Sequence, residues 1–436
     1  MRISSGMIFD AGLNSMNTLT DSLLHTQQQV SSGRRVLTPA DDPVAAASAL
    51  DVTQASNINA QYALNQNNAT SALGLEATQL SSAGNLLTQA KQLAVQAGNA
   101  TLNSSDRTTI ATQLRAIFDQ MLGIANAQDS SGQYLFAGNK GSTQAFSGTV
   151  EGGVSYNGDN GQRKLQLSAS QQLAVSDSGN AVFQNIAAGN GYFATANGSG
   201  NSGSGVIDVG SVSDPAKWIA SNKGNTQVKF WVDTTGSNGP PNTTYYDLVD
   251  SGGNSLYTGT ASTQGGGTNT YTHVYTGGQP IPLSQTAAPA FDYGASVTIT
   301  GAPATNDSFS ISPGKTQSVF ATLSNLILSL ESASTATPAG SAKLSNDVSS
   351  ALTNIDQADS NILSVQAAIG SRQNEVTSLA SVNSSLNLQY QQSLSGLQDV
   401  NYTQAVSDLT RLQTQLQAAQ KSFAMVSQLS LFTYIP

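Results

Sequence analysis

Residues 344–397, LSNDVSSALTNIDQADSNILSVQAAIGSRQNEVTSLASVNSSLNLQYQQSLSGL, place apolar side chains at strictly alternating steps of four and three. Leu344, Val348, Ala351, Ile355, Ala358, Ile362, Val365, Ile369, Val376, Leu379, Leu386, Tyr390 and Leu397 keep the register, and Arg372, Asn383 and Ser393 interrupt it with polar groups. A seven-residue repeat sustained this long specifies a helix that presses a narrow seam onto partner helices.

Outward from this stretch the same pattern returns at both ends. After a break at Gly396 to Tyr402, a second run follows the rule with Ala405, Leu409, Leu412, Leu416, Ala419, Phe423 and Val426. Near the N-terminus Ile3, Met7, Met16, Leu19, Leu23 and Val30 fit one helical face, until SSGRR breaks it at Gly33. Asp42 then stands as an N-cap with Pro43 in the first helical position, where its missing N–H costs nothing. A helix is predicted from there to about Asn99, burying Ala69, Leu73, Leu80, Ala83, Leu87 and Ala90. Ser104 or Ser105 is the expected cap of a third helix carrying Ile110, Leu114, Ile117, Met121 and Ile124.

Between these helical halves the texture changes to Gly, Thr and Tyr. TQVKFWVD (226–233) alternates as a strand; TTYYDLVDSGGNSLYTG (243–259) reads as two strands joined by a turn; ASVTITG (295–301) and DSFSISP (307–313) add two more. Short strands punctuated by Gly and Asn suggest a sandwich or small barrel. NGSGNSGSGV (197–206) is expected to be a mobile loop.

The 436 residues include no Cys, 2 His and 10% charged residues, with 17 Lys and Arg against 26 Asp and Glu. Without Cys there is no thiol nucleophile, disulfide or thiolate metal site. An acidic chain with few basic residues is poorly suited to nucleic acid. Globular domains usually carry about 25% charged residues. A surface rich instead in Ser, Thr, Asn and Gln weakens like-charge repulsion and allows copies to pack side by side. MRISSGMIFDAGLNSMN lacks the apolar core of a secretory signal, and no segment offers about 18 consecutive apolar residues, so neither that signal nor membrane insertion is expected.

No catalytic, cofactor-binding or metal-ligating set emerges. Asp41 and Asp42 are explained by helix capping, since nothing drives their acidities apart. Gly314-Lys315-Thr316 imitates the end of a phosphate loop, but Phe309 stands where the first glycine belongs. His25 reads as a solvated or interface histidine and His273 as a cross-strand partner. Tyr245, Tyr246, Tyr257, Tyr271 and Tyr275 are either ordinary strand residues or a face for carbohydrate or protein. Arg34 and Arg35 serve either a loop ion pair or a contact to a neighbouring subunit.

The termini resemble the flagellin superfamily of bacterial axial proteins. The resemblance rests on the opening MRIS, SSGRRVLTPADDPVAAASAL (31–50), NAQDSSGQYLFAG (126–138), ITGAPATNDSFSISP (299–313), QAAIGSRQNEV (366–376) and NYTQAVSDLTRLQTQLQAAQKSFAMVSQLSLFTYI (401–435). DDPVA and GQYLFAG fit the family's hook–filament junction subunits better than its filament subunits. Such a resemblance implies an α+β fold: an elongated, helical, coiled-coil-like domain formed by the N- and C-terminal segments, with an inserted all-β outer domain. It divides the chain into an inner terminal-helix domain (1–35 and 400–436, disordered in the monomer), a helical rod (36–145 and 314–399) and a β-rich outer domain (146–313). It implies a structural adaptor linking hook-associated protein 1 to flagellin, in a ring of like subunits, exported by the type III route with a dedicated chaperone. No enzyme activity and no cofactor are implied. The seams at 3–30 and 405–426 are too narrow to bury within a single globule, which makes Met7, Leu19 and Leu23 with Leu409, Leu412, Leu416 and Phe423 the expected partner-binding residues. A filament subunit, or a flagellar surface protein whose β insert binds glycans, are the rival readings.

Overall fold

Local sequence writes the helices. In the computed structural model, which describes residues 5–221, 224–265 and 269–428, seven α-helices form: α1 (Ser5–Ser32), α2 (Pro43–Ala97), α3 (Ser104–Ala125), α4 (Pro215–Ser221), α5 (Val319–Ser332), α6 (Pro338–Gln398) and α7 (Tyr402–Gln428). Ile3 with the opening MRIS, and the closing LSLF, lie outside the described residues. The chain divides into two units, the first Met1–Asn67, Gln166–Gln171 and Val376–Pro436, the second Asn68–Leu165 and Gln172–Glu375.

In the first unit α2 starts where the sequence places it. Asp42 Oδ1 accepts the N–H of Ala45 at 2.9 Å, and Pro43 opens the helix. Asn383, one of the polar interruptions of the heptad, exchanges hydrogen bonds with Asn59 of α2: each amide donates to the other's backbone carbonyl, at 3.0 and 3.1 Å. The tip of a hairpin, residues 166–170, rests on the same helix through Asn65 and Gln66, whose amides donate to the carbonyls of Gln166 and Leu167.

The second unit holds the main helical core and the sheets. Leu73, Leu80, Ala83, Leu87 and Ala90 of α2 are buried, with Ile110, Leu114, Phe118 and Met121 of α3 and Phe320, Leu323 and Ile327 of α5. Phe118, Phe146, Phe183 and Phe320 meet at centroid distances of 5.3 to 6.1 Å, mixing edge-on and tilted contacts. The cap of α3 is Asn103, one residue before the expected serines, because Asp106 stands at N3 and completes a reciprocal capping box.

The inserted region is sheet-rich. One antiparallel sheet runs in the order 273–274, 243–249, 226–233, 308–313, 193–197; in another, strand 291–300 pairs with 280–285, 206–207 and 211–212. Phe193, Val228, Phe230, Leu283, Val297, Ile299 and Phe309 form its core. Two expectations change here. SGGNSLYTG does not continue as a strand, because the Asp250 carboxylate draws in the N–H groups of Gly252 and Asn254, and the chain then makes isolated bridges instead. NGSGNSGSGV is tied down rather than loose: Asp307 accepts the N–H groups of Ser202 and Gly203, and residues 206–207 join a sheet.

Three asparagines along α6 fasten the insert. Asn346 accepts from Ile207 N–H at 2.8 Å, Asn354 from Gly189 N–H at 2.9 Å, and the Asn361 amide donates to the carbonyls of Ala181 and Val182. Asparagine is a weak helix former. Here its side chain satisfies backbone groups of the insert, which a leucine would leave unpaired.

Candidate assembly surface

α1 and α7 pack along each other as an antiparallel pair. The Phe9 and Phe423 rings sit 4.8 Å apart at one end, while at the other Gly33 meets residues 400–402. The linkers that enter and leave the pair are clasped together. Arg35 N–H donates to Gln398 carbonyl at 2.6 Å and Val400 N–H donates to Gly33 carbonyl at 2.9 Å, so Arg34 and Asp399 stand opposite each other as in a sheet. Gly33 has φ +73°, a conformation that disfavours side chains, and a Cβ there would meet the Tyr402 hydroxyl at 3.0 Å.

The SSGRR…DDP segment builds this clasp. The Arg35 guanidinium bridges Asp42 at 3.1 Å and Leu397 carbonyl at 2.9 Å, while Gln29 donates to Arg35 carbonyl. Of the two readings left open for the basic pair, Arg35 takes the ion pair within the chain. Asp41 accepts the N–H groups of Thr38 and Leu37 and faces His25 Nε2 at 3.0 Å. The Thr38 N–H, helped by Leu37 and His25, holds the Asp41 carboxyl below its usual range. For Asp42 the Ala45 N–H and then Arg35 do the same.

Leu19, Leu23, Leu409, Leu412, Leu416 and Phe423 are half-buried on the α1–α7 pair. Met7 is not among them, at 63% exposure. Among the described residues no side chain of α1 is buried, and on α7 Ala405 alone is. Phe9, Leu13 and Leu24 on α1 and Val406, Met425 and Val426 on α7 stand 38 to 62% exposed. Of these only Val426 lies in the expected seam register; the others are apolar residues off that register, a signal visible in the sequence once the seam is treated as an internal contact. Two helices cannot enclose a core, so this pair offers an apolar outer surface along about 40 Å of helix.

The other candidate residues are structural. Tyr245, Tyr246, Tyr257 and Tyr271 are buried, and the Tyr275 hydroxyl donates to the carbonyls of Ile299 and Gly301, which leaves no tyrosine face for carbohydrate. His273 pairs across strands with Tyr246 and stacks on Tyr257 at 3.8 Å. In GQYLFAG, Leu135, Phe136 and Ala137 are buried, and Phe136 carbonyl accepts from Tyr156 hydroxyl and Gly179 N–H. Among the described residues no cluster of His, Asp and Glu is arranged for a metal, and no helix is long and apolar enough to cross a membrane.

Residues 3–141 match the bacterial flagellin N-terminal helical region and residues 352–435 the bacterial flagellin C-terminal helical region, together just over half of the sequence. The chain belongs to the flagellin superfamily. Within the superfamily it is 33% identical over 186 residues to flagellar hook-associated protein 3 of Salmonella typhimurium, covering 43% of this chain and 58% of that protein. It therefore spans somewhat over half the length of that curated relative. Among solved structures, hook-associated protein 3 of Legionella pneumophila superposes with a TM-score of 0.70 at 29% identity, covering 79% of this chain and 98% of that one. The flagellar junction protein FlgL of Legionella pneumophila superposes with a TM-score of 0.66 at 29% identity, covering 81% and 100%. The α+β reading, with helical terminal segments flanking an inserted sheet-rich region, agrees with this membership. This flagellin-superfamily chain thus presents, in α1 and α7, the paired terminal helices that the two matched regions reach into.

Proposed function

We propose that the chain is a structural adaptor of the bacterial flagellum, seated at the hook–filament junction, where it links hook-associated protein 1 to flagellin and is needed for filament attachment and motility. One observation carries this reading: the α1–α7 pair has an apolar outside and almost no inside. Copies arranged in a ring supply the missing helices, and partners above and below continue the packing. The work is mechanical and calls for no catalytic group. The partner-binding surface comprises Met7 of the expected seam together with Phe9, Leu13 and Leu24, while the half-buried Leu19, Leu23, Leu409, Leu412, Leu416 and Phe423 of that seam hold α1 and α7 together so that they can present it. Before assembly the terminal segments are frayed, a state suited to type III export, and a chaperone covers the stripe on the C-terminal helix.

Fluorescent labelling of the chain in flagellated cells tests the reading. A single spot at the hook end of each flagellum is the expected result. Label distributed along the filament would replace the junction role with that of a filament subunit.

A further inference from the structure

Glu76 of α2 is 1% exposed and belongs to the second unit. Its Oε1 accepts the N–H of Asp177 at 2.9 Å, and its Oε2 is buried with no hydrogen-bond partner. The charged groups that face it are Asp177, Arg372 and Arg163. Both arginines are engaged elsewhere. Arg372 of α6 pairs with the Asp177 carboxylate and donates to Ala174 carbonyl, and Arg163 reaches Asp129 at 3.2 Å and Gln133 at 2.8 Å. Asp177 takes a further hydrogen bond from Gln162 at 2.7 Å. Arg372 is therefore already paired with the Asp177 carboxylate and Arg163 with Asp129, leaving only the Arg163 Nε without a partner, so a negative charge on buried Glu76 would face two arginines that each already hold a carboxylate.

What lies on Glu76 is a short stretch rather than a long helix. Residues 175–184 run through Asp177 into the short π-helical segment Asn180–Gln184, which is held to α6 by Asn361 and to the phenylalanine cluster by Phe183. We propose that Glu76 is kept as a neutral acid and works as a pH-sensitive latch, closing residues 175–184 onto α2 and α6 while protonated and loosening them when ionised. Burial first, and the Asp177 charge second, push its pKa up to about 8 from an ordinary 4.5. The unfolded chain releases this proton near 4.5 and the folded chain near 8, so stability falls as pH rises across that window and is flat above it.

Infrared difference spectra of the full chain between about pH 6 and about pH 9.5 test the latch directly. A protonated-carboxyl band that disappears near pH 8, and is missing from Glu76→Gln, is the expected result. Amide exchange, corrected for its intrinsic pH dependence, should show residues 175–184 losing about tenfold of their protection over the same range, with Glu76→Gln holding its protection. Should that variant not fold, the wild-type band and exchange profile decide the matter together. No carboxyl titrating above pH 6, or unchanged protection of residues 175–184 in the wild type, would overturn the proposal.

Discussion

Phe423 lies so close across Gly12 that a β-carbon on residue 12 would stand 2.9 Å from its Cδ2. That distance makes Gly12 a spacer for the antiparallel pair, three residues on from Phe9, whose ring packs against the same Phe423. Gly12→Ala asks for a small ring shift while gaining about 1 kcal/mol of helix propensity, so it should be nearly silent. Gly12→Leu cannot be accommodated and should lower swimming in soft agar. Adding Phe423→Ala should recover part of the loss, as expected when two changes share one contact. Full motility in Gly12→Leu alone would show that the pair is not packed this way during function.

The lack of interior in α1 and α7 predicts how the free subunit behaves. Two helices with half-buried seams gain little by pairing, and isolated helices of this length are marginal in water. Amide exchange on the monomer should therefore find residues 5–32 and 402–428 poorly protected, against strong protection of the buried helical core around Leu80, Leu114 and Leu323. Strong protection at both ends would sink the expectation that assembly orders them.

How much of this could be read from sequence follows from the range of each interaction. The helices were legible because Leu344 and Val348, or Leu412 and Leu416, answer to neighbours one turn away. The polar breaks in the heptad were visible but mute. Arg372 and Asn383 are explained by Asp177 and Asn59, partners far along the chain that periodicity does not reveal. The loops of the β insert misled for the same reason, since Asp307 and Asp250 tie down segments that composition alone marks as loose or extended. At the assembly surface the register was readable, but whether Leu19 or Leu24 faces the chain's own partner helix was not.

The reciprocal bond between Asn59 and Asn383 gives a quantitative test. Both are buried, at 6 and 7% exposure, so removing one side-chain amide takes its donor away from the other residue's backbone carbonyl. Asn383→Ala should cost about 1–3 kcal/mol in denaturant unfolding. Replacing both residues with leucine removes both buried side-chain amides and leaves the two carbonyls to the hydrogen bonding of their own helices, so it should recover much of that loss.

The clasp should fail in acid and tolerate base. Asp41 and Asp42 titrate below their ordinary 3.8 in the folded chain. Groups with lowered pKa values contribute stability above their unfolded value and lose it as pH falls through the folded one. Protection of the Leu37, Thr38 and Ala45 amides should thus be constant down to about pH 4 and collapse below it. Asp42→Asn keeps a capping side chain but loses the Arg35 ion pair, and should weaken the junction of residues 33–36 with 398–400 without unravelling α2. An Asp42→Asn variant with unaltered acid sensitivity at Ala45 would place the effect elsewhere.

Leu24 and Leu416 separate contacts within a subunit from contacts between subunits. Leu416 is half-buried on the α1–α7 pair, whereas Leu24 is 51% exposed. Leu24→Asp puts a charge on a surface that is open in the single chain, so its unfolding free energy should change by no more than about 0.5 kcal/mol. In the proposed ring that surface would be desolvated, where an unpaired carboxylate is costly. Filament attachment should therefore fail in Leu24→Asp despite a normally folded monomer. Leu416→Asp should also block attachment, but by parting α7 from α1. Because few charges line either helix, attachment of the wild type should weaken only mildly as salt rises through the range where the Debye length shrinks from about 10 to about 3 Å. A Leu24→Asp strain with intact filaments would remove the outer face of α1 from the assembly surface and leave the α1–α7 seam as the contact to test.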